Sequence, residues 1–169
     1  MHMNDILILY YSKNDSTKKM ARAIARGIES SNVASSSIRT VHSDTYKETD
    51  DILVTKEDLK KCSGMIIGSP THFGNMAAPL KAFFDSTTDE WFNNTLESKL
   101  GGVFTSTSSM HGGQETTLIS MMMPLIHHGM IIAGVPYSEK NLSSTMSGGT
   151  PYGPSHVSHN QKVDLTEEE

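Results

Sequence analysis

Three short segments rich in hydroxyl, amide and imidazole side chains are the places where this sequence could bind a ligand. They are residues 12–17 (SKNDST), 69–76 (SPTHFGNM) and 106–114 (STSSMHGGQ). Unpaired N–H groups at a helix N-terminus bind anions, and nearby hydroxyl groups extend that donor array without adding cations. The chemistry that these residue types suggest is therefore the recognition of a phosphate group.

Each of these segments follows a short apolar run. Residues 6–11 (ILILYY), 64–68 (GMIIG) and 101–105 (GGVFT) are continuous rather than alternating runs, which is typical of strands that are covered on both faces. Further strands are predicted at 37–41 and 130–135, and helical patterns begin at residue 17, within 45–61, after residue 76 and at residue 114. This alternation predicts an α/β fold with a doubly wound parallel sheet, whose ligand crevice lies beyond the carboxyl ends of the strands.

The first segment also has a simpler interpretation. A Ser or Thr before a helix often only caps it, and an isolated pair such as Ser16 and Thr17 would be interpreted in that way. The preceding strand and the two further polar segments favour phosphate binding instead. The Gly-x-Gly-x-x-Gly dinucleotide fingerprint and the P-loop pattern are both absent, so a mononucleotide phosphate is the expected ligand.

Composition narrows the class of protein. A chain of 169 residues with 36% apolar residues predicts one domain over residues 1–169. A net charge of -5 without long blocks of one sign argues against nucleic acid or an anionic membrane as a partner. With no apolar stretch near the roughly 20 residues of a membrane span and no signal-peptide pattern, we expect a cytoplasmic protein. The histidines do not stand at metal-ligand spacing with carboxylates or cysteines, so no metal site is expected.

The last part of the chain lacks a clear pattern. Residues 136–169 show no convincing periodicity, and a loop of that length is usually functional or disordered. Residues 164–169 (DLTEEE) resemble the start of a helix with Thr166 as its N-cap, yet no helical pattern follows. We therefore expect the sheet to lack the C-terminal helix that would close it. The serine-rich residues 30–37 are predicted to form a polar turn.

Five segments of the sequence together resemble those of a known protein family. The tripeptide YYS with its hydroxyl-rich loop is followed by GSPTHFGNM, TSTSSMHGGQETT, IHHGMII and SGGTPYG, which together reach residue 153. In this order and spacing they resemble the flavodoxin-like NAD(P)H:quinone oxidoreductases of the WrbA type. The resemblance implies a flavodoxin-like five-stranded sheet of order 2-1-3-4-5, noncovalent FMN, and ping-pong reduction of quinones by NADH or NADPH. It also implies a homo-oligomer, a dimer or commonly a tetramer, with active sites near the subunit contacts.

The resemblance assigns roles to individual residues. Cofactor-binding residues are expected in all three segments: Ser12, Lys13, Asn14, Asp15, Ser16 and Thr17 at the phosphate, Pro70, Thr71, His72, Phe73, Gly74 and Asn75 at the ring, and Ser106, Thr107, Ser108, Ser109, Gly112 and Gly113 in the third loop. His127 is expected to be the catalytic residue at the flavin edge or substrate. Trp91 is expected to cover the substrate pocket from a neighbouring subunit.

Other interpretations remain open for these residues and for the whole chain. Phe73 could equally pack in the core, and Trp91 alone would indicate a core or interface anchor. Histidines at a helix end often only stabilise its carboxyl terminus. Asp15 stands where the family usually has glycine, which predicts a left-handed backbone, a like charge near the phosphate and weakened FMN binding. A single-electron flavodoxin and a non-catalytic regulatory or scaffolding protein are the alternative functions.

Overall fold

A parallel sheet forms the centre of the molecule. The computed structural model describes residues 4–43, 50–159, 164–166 and 169. Within them the strands are β1 (Asn4–Tyr10), β2 (Ala34–Thr40), β3 (Gly64–Pro70), β4 (Leu100–Thr107), β5 (Ile131–Ile132) and β6 (Ser155–Val157). Their order in the sheet is β2-β1-β3-β4-β5, and the short strand β6 also pairs with β4. The predicted flavodoxin-like α/β fold with order 2-1-3-4-5 is confirmed.

Helices cover both faces of this sheet. They are α1 (Ser16–Ser30), α2 (Lys56–Lys61), α3 (Ala78–Asp85), α4 (Thr88–Phe92), α5 (Gln114–His127) and α6 (Asn141–Ser144). Among the residues described, no helix is both long and apolar enough to cross a membrane.

The side chains of β1 explain why its apolar run is continuous. Leu7 and Leu9 enter the cluster that α2, α3 and α5 cover, whereas Ile8 and Tyr10 enter the cluster under α1. Successive side chains of a strand point to opposite faces, so a strand with helices on both sides needs apolar residues at every position. The same reasoning accounts for β3, and the prediction of these two buried strands is confirmed.

The second strand starts earlier than predicted. It begins at Ala34, so the serines that were predicted to form a turn lie partly within β2. The hydroxyl groups of Ser35 and Ser37 donate hydrogen bonds to the Asp5 carboxylate at 3.3 and 2.7 Å. An edge strand can carry polar residues, and here Ser35 and Ser37 are bonded to β1. The start of β2 therefore lacks the apolar pattern from which a strand is predicted.

The fifth strand is interrupted. The predicted strand at 130–135 is reduced to β5, and β6 pairs with the carboxyl half of β4 on the edge that β3 leaves open. Residues 133–154, with α6, lie between these two short strands. The expectation of a structureless segment after residue 136 was therefore wrong in part, because a strand of three residues is too short to produce a detectable period.

Residues 164–166 and 169 return to the sheet. Leu165 packs against the cluster under α1. The N–H group of Thr166 donates a hydrogen bond to the Glu169 carboxylate at 3.0 Å.

Tight packing around Gly68 predicts that an alanine there lowers the stability of the protein, whereas an alanine at Gly27 does not. A Cβ atom at Gly68 would overlap the ring of Phe104, its fully buried partner on β4. We expect Gly68→Ala to lower the free energy of unfolding by about 1–3 kcal/mol, because the packed core has no room for the added methyl group. Gly27→Ala, which meets no atom within 4 Å, serves as the control and should raise it by about 0.5–1 kcal/mol. Chemical denaturation measures both, and a Gly68→Ala protein as stable as the wild type would contradict this packing.

Candidate functional site

One cleft of about 430 Å³ lies at the carboxyl edge of the sheet. It brings together parts of all three polar segments: its lining residues are Ser12, Lys13, Asn14, Ser16, Thr17, Pro70, Thr71, His72, Ser106, Thr107, Ser108 and Ser158. None of these is Asp or Glu, and Lys13 contributes a permanent positive charge. The cleft thus combines many hydrogen-bond donors with a positive field, which suits an anionic ligand.

The first loop presents the N-terminus of α1 to the cleft. Within the described part of the chain, the backbone N–H groups of Ser16 and Thr17 have no acceptor, whereas Lys18 N–H points to Ser12 Oγ at 3.4 Å. The N-cap, Asp15, has a left-handed backbone (φ 65°) and its side chain makes no capping bond. Free donors at the start of a helix of this length bind phosphate, so the residues present fit such a group.

The second loop is a tight turn that exposes an aromatic ring. The backbones of His72 and Asn75 are joined by two hydrogen bonds of 2.9 and 3.1 Å. The two residues between them, Phe73 and Gly74, have φ angles of 53° and 77°. Positive φ at both central positions defines a type I′ turn, which favours Asn-Gly and strains a residue as bulky as Phe. Phe73 is fully exposed, so the alternative of a core residue is wrong.

The imidazole of His72 lines the cleft beside this turn. Its ring meets the buried Tyr11 ring edge-on, with centroids 6.4 Å apart. Partial burial lowers the pKa of His72 below its usual value, and repulsion from Lys13 makes a smaller contribution in the same direction. The imidazole is therefore neutral at neutral pH and offers a donor or an acceptor rather than a charge.

The third loop is bound to the second. Thr71 N–H donates to Ser106 O at 2.8 Å, and the hydroxyl groups of Thr71 and Thr105 are 3.2 Å apart. Gly113 has a φ of 93°, and a Cβ atom there would stand 3.0 Å from the Cα atom of Gly74. The second and third loops are thus joined by a hydrogen bond and pack closely at Gly74 and Gly113.

A fourth loop, which the sequence did not predict, completes the lining. Ser158 follows β6, and its N–H group donates to Thr107 O at 2.9 Å. Its hydroxyl group donates to the same carbonyl oxygen at 3.2 Å, and Ser158 lines the cleft. The only sequence signal was the short run 155–157 (SHV), which is too brief to identify a strand beside β4.

Several predicted binding residues lie in the loops without lining the cleft. These are Asp15, Phe73, Gly74, Asn75, Ser109, Gly112 and Gly113. Their backbone conformations and close contacts shape the loops, as the left-handed Asp15 and the Gly74 to Gly113 contact illustrate. They form the frame that holds the lining residues in place.

His127 and Trp91 lie at the opposite end of the molecule within one chain. Helix α5 begins beside the cleft and ends at His127, which places His127 about 20 Å along the helix axis from its start. The indole N–H of Trp91 donates to His127 O at 2.8 Å, and the Trp91 ring is about half exposed next to exposed Phe92. The two residues are thus neighbours of each other and not of the cleft in their own chain.

The comparisons with known proteins agree with this architecture. The sheet order and the loops at its carboxyl edge define a WrbA-like flavodoxin fold. A WrbA-like flavodoxin from Agrobacterium tumefaciens superposes with a TM-score of 0.63 at 24% identity, over 76% of this chain and 75% of that one. A flavodoxin from the domain Archaea gives 0.60 at 26% identity, over 76% and 77%.

The sequence relationship is more specific. Residues 5–140 match the family described as NADPH-dependent FMN reductase, and the chain belongs to that family. It is 40% identical to a NAD(P)H dehydrogenase (quinone) of Chromohalobacter salexigens, over 89% of this chain and 82% of the relative. It is 41% identical to the protein of the same name from Paracoccus denitrificans, over 90% and 79%.

The strained turn yields a prediction about stability. We expect Phe73→Asn to raise the free energy of unfolding by about 1 kcal/mol, because Asn-Gly suits a type I′ turn and the exposed Phe73 ring loses no packing. Phe73→Ala is the matched control: it removes the ring but keeps a residue that disfavours positive φ, so its stability should stay near that of the wild type. Denaturant unfolding distinguishes them, and equal stability of both variants would argue against strain at this position.

Proposed function

We propose that this protein is a cytoplasmic, FMN-dependent oxidoreductase that transfers two electrons from NADH or NADPH to quinones. The observation that carries the proposal is the convergence of the three polar loops on one cleft that has many donors and no carboxylate. Membership of the NADPH-dependent FMN reductase family and the names of the relatives support it.

The phosphate of FMN would bind at the first loop. The free N–H groups of Ser16 and Thr17 and the hydroxyl group of Ser12 are the donors, and Lys13 adds a positive charge. The partial positive charge at the start of α1 acts in the same direction. Binding therefore relies on backbone and hydroxyl donors and needs no arginine.

The flavin ring would lie against the second and third loops. The wall from Pro70 to His72 and the residues from Ser106 to Ser108 would bind its faces and polar rim. When bound, FMN would supply the redox chemistry, which is the transfer of two electrons from a nicotinamide to a quinone. The chain fixes the position of the ring and limits access of water. Since both substrates need the same cleft, they react in turn, which is ping-pong turnover.

A second copy of the chain would be needed for the roles assigned to His127 and Trp91. In one chain they lie about a helix length from the cleft, and the half-exposed indole is held in a fixed orientation by its bond to His127 O. In a homo-oligomer, Trp91 would cover the substrate pocket of a neighbour, and His127 would donate a proton to the reduced quinone. A proton can also come from water, so His127 assists turnover without being essential.

The proposal is tested by loading and cycling the cofactor. The purified protein is saturated with FMN, freed of excess and observed anaerobically by absorbance. We expect the retained flavin to bleach on addition of NADH or NADPH and to recover with benzoquinone. Riboflavin, which lacks the phosphate, is the control and should be retained less well. Failure to retain FMN would contradict the proposal, and flavin that binds but never bleaches with either nicotinamide would favour a single-electron flavodoxin.

Asp15 is expected to weaken FMN binding. We predict that Asp15→Gly lowers the FMN dissociation constant about two- to fivefold, because a negative charge is removed near the phosphate at the helix N-terminus. Asp15→Asn separates the two contributions, since it removes the charge but keeps a residue that tolerates the left-handed backbone. Fluorescence titration gives both constants. An Asp15→Gly protein with the wild-type constant would count against a role for this charge.

A further inference from the structure

A buried His–Glu pair lies directly behind the fourth loop. His156 Nδ1 and Glu169 Oε2 are 2.8 Å apart, and the side chains of both residues are only 1% exposed. The Glu169 carboxylate also accepts the N–H groups of Val157 at 2.9 Å and Thr166 at 3.0 Å. One carboxylate thus joins β6 to residues 164–166, which otherwise contact the sheet through Leu165.

The pair is close in sequence to a residue that lines the cleft, because only Val157 separates His156 from Ser158. Val157, whose N–H group the carboxylate accepts, precedes Ser158, and Ser158 is bonded to Thr107 O. His156 stands opposite Ser106 in the β4–β6 register, and Ser106 also lines the cleft. The carboxyl end of β6 is therefore held on one side by β4 and on the other by Glu169.

The charges around the pair favour an ionised Glu169. Burial opposes ionisation, but the hydrogen bonds from Thr166, Val157 and His156 outweigh it, so the pKa of Glu169 lies below its ordinary value near 4.5. Asp164, on the same segment, interacts electrostatically with His156 and forms an ion pair with Lys19 on α1. Since Glu169 is the acceptor, Nδ1 of His156 carries the hydrogen atom, and Nε2 is buried without a hydrogen-bond partner in the described residues.

We propose that Glu169 and His156 are positioning residues of the binding cleft: they hold the carboxyl end of β6 so that the Ser158 hydroxyl group is presented to the ligand. This inference rests on the proposed function, in which the ligand is a phosphate-bearing flavin. A buried carboxylate with three donors is a rigid support, because removal of any partner leaves a desolvated charge or donor.

The support that Glu169 gives to β6 is present at high pH and lost at low pH. A carboxylate with a lowered pKa supports β6 at every pH above its ordinary range, and the support is lost as the pH falls through the lowered value. The contribution of Glu169 to ligand binding is therefore constant around neutral pH. Glu169→Gln reproduces the uncharged side chain at neutral pH, where the rest of the protein is unperturbed.

The experiment compares FMN dissociation constants of purified variants. Glu169→Ala and Glu169→Gln should weaken FMN binding, by about tenfold for Glu169→Ala, since hydrogen bonds to a buried charge are lost. Asp164→Asn, an exposed acid in the same segment, is the matched control and should bind like the wild type. His156→Asn keeps a donor near the position of Nδ1 and should restore most of the affinity that His156→Ala loses.

A double-mutant cycle separates positioning from general stability. If Glu169 acts through the Ser158 hydroxyl group, Glu169→Ala will weaken FMN binding little further in a Ser158→Ala protein, whereas a purely structural role would give additive losses. Amide exchange provides a readout without ligand: Ser158 should lose protection in Glu169→Ala, while Tyr11, bonded to Gly68 O, should not.

Wild-type affinity in Glu169→Ala, or additive losses in the cycle, would overturn the inference. If the wild type binds no FMN, the proposed function fails, and amide exchange still tests the pair: unchanged protection of Ser158 in Glu169→Ala would then overturn its positioning role.

Discussion

The parallel pairing of β3 with β4 is the constraint on which the site depends. Its register runs without a break from the pair Gly64 and Leu100 to the pair Pro70 and Ser106, so two loops leave the sheet at the same height. The bond from Thr71 N–H to Ser106 O continues this alignment into the loops. The pairing of these buried strands thus fixes where the second and third loops begin at the cleft.

Two residues beside the cleft have left-handed backbones, which glycine adopts most readily. They are Asp15, the N-cap of α1, and Phe73, in the turn of the second loop. Such strain persists only where the surrounding structure enforces it, and it is common at binding sites. Residues 7–10 of β1 and 67–69 of β3, next to these loops, are buried, so stability and ligand recognition are divided between the sheet and its edge.

The sequence predicted those parts of the structure that depend on patterns several residues long. Continuous apolar runs predicted β1 and β3 because both faces of these strands are buried. Ser158 could not be predicted, because its position depends on the three residues of β6 and on contacts with a segment far along the chain. Similarly, the distance of His127 from the cleft follows from the direction of α5, whereas the role assigned to it came from resemblance alone.

The interruption between β5 and β6 marks a place where extra residues could be inserted into the chain. Strands β5 and β6 pair with separate parts of β4, and the backbones of Ala133 and Pro154 are still bonded to β4, so the chain leaves the sheet only between these two residues. The entropy of closing a loop grows only slowly with its length. This position is therefore one where evolution or an experimenter could lengthen the chain, for example with a reporter peptide, while the sheet and the cleft keep their geometry.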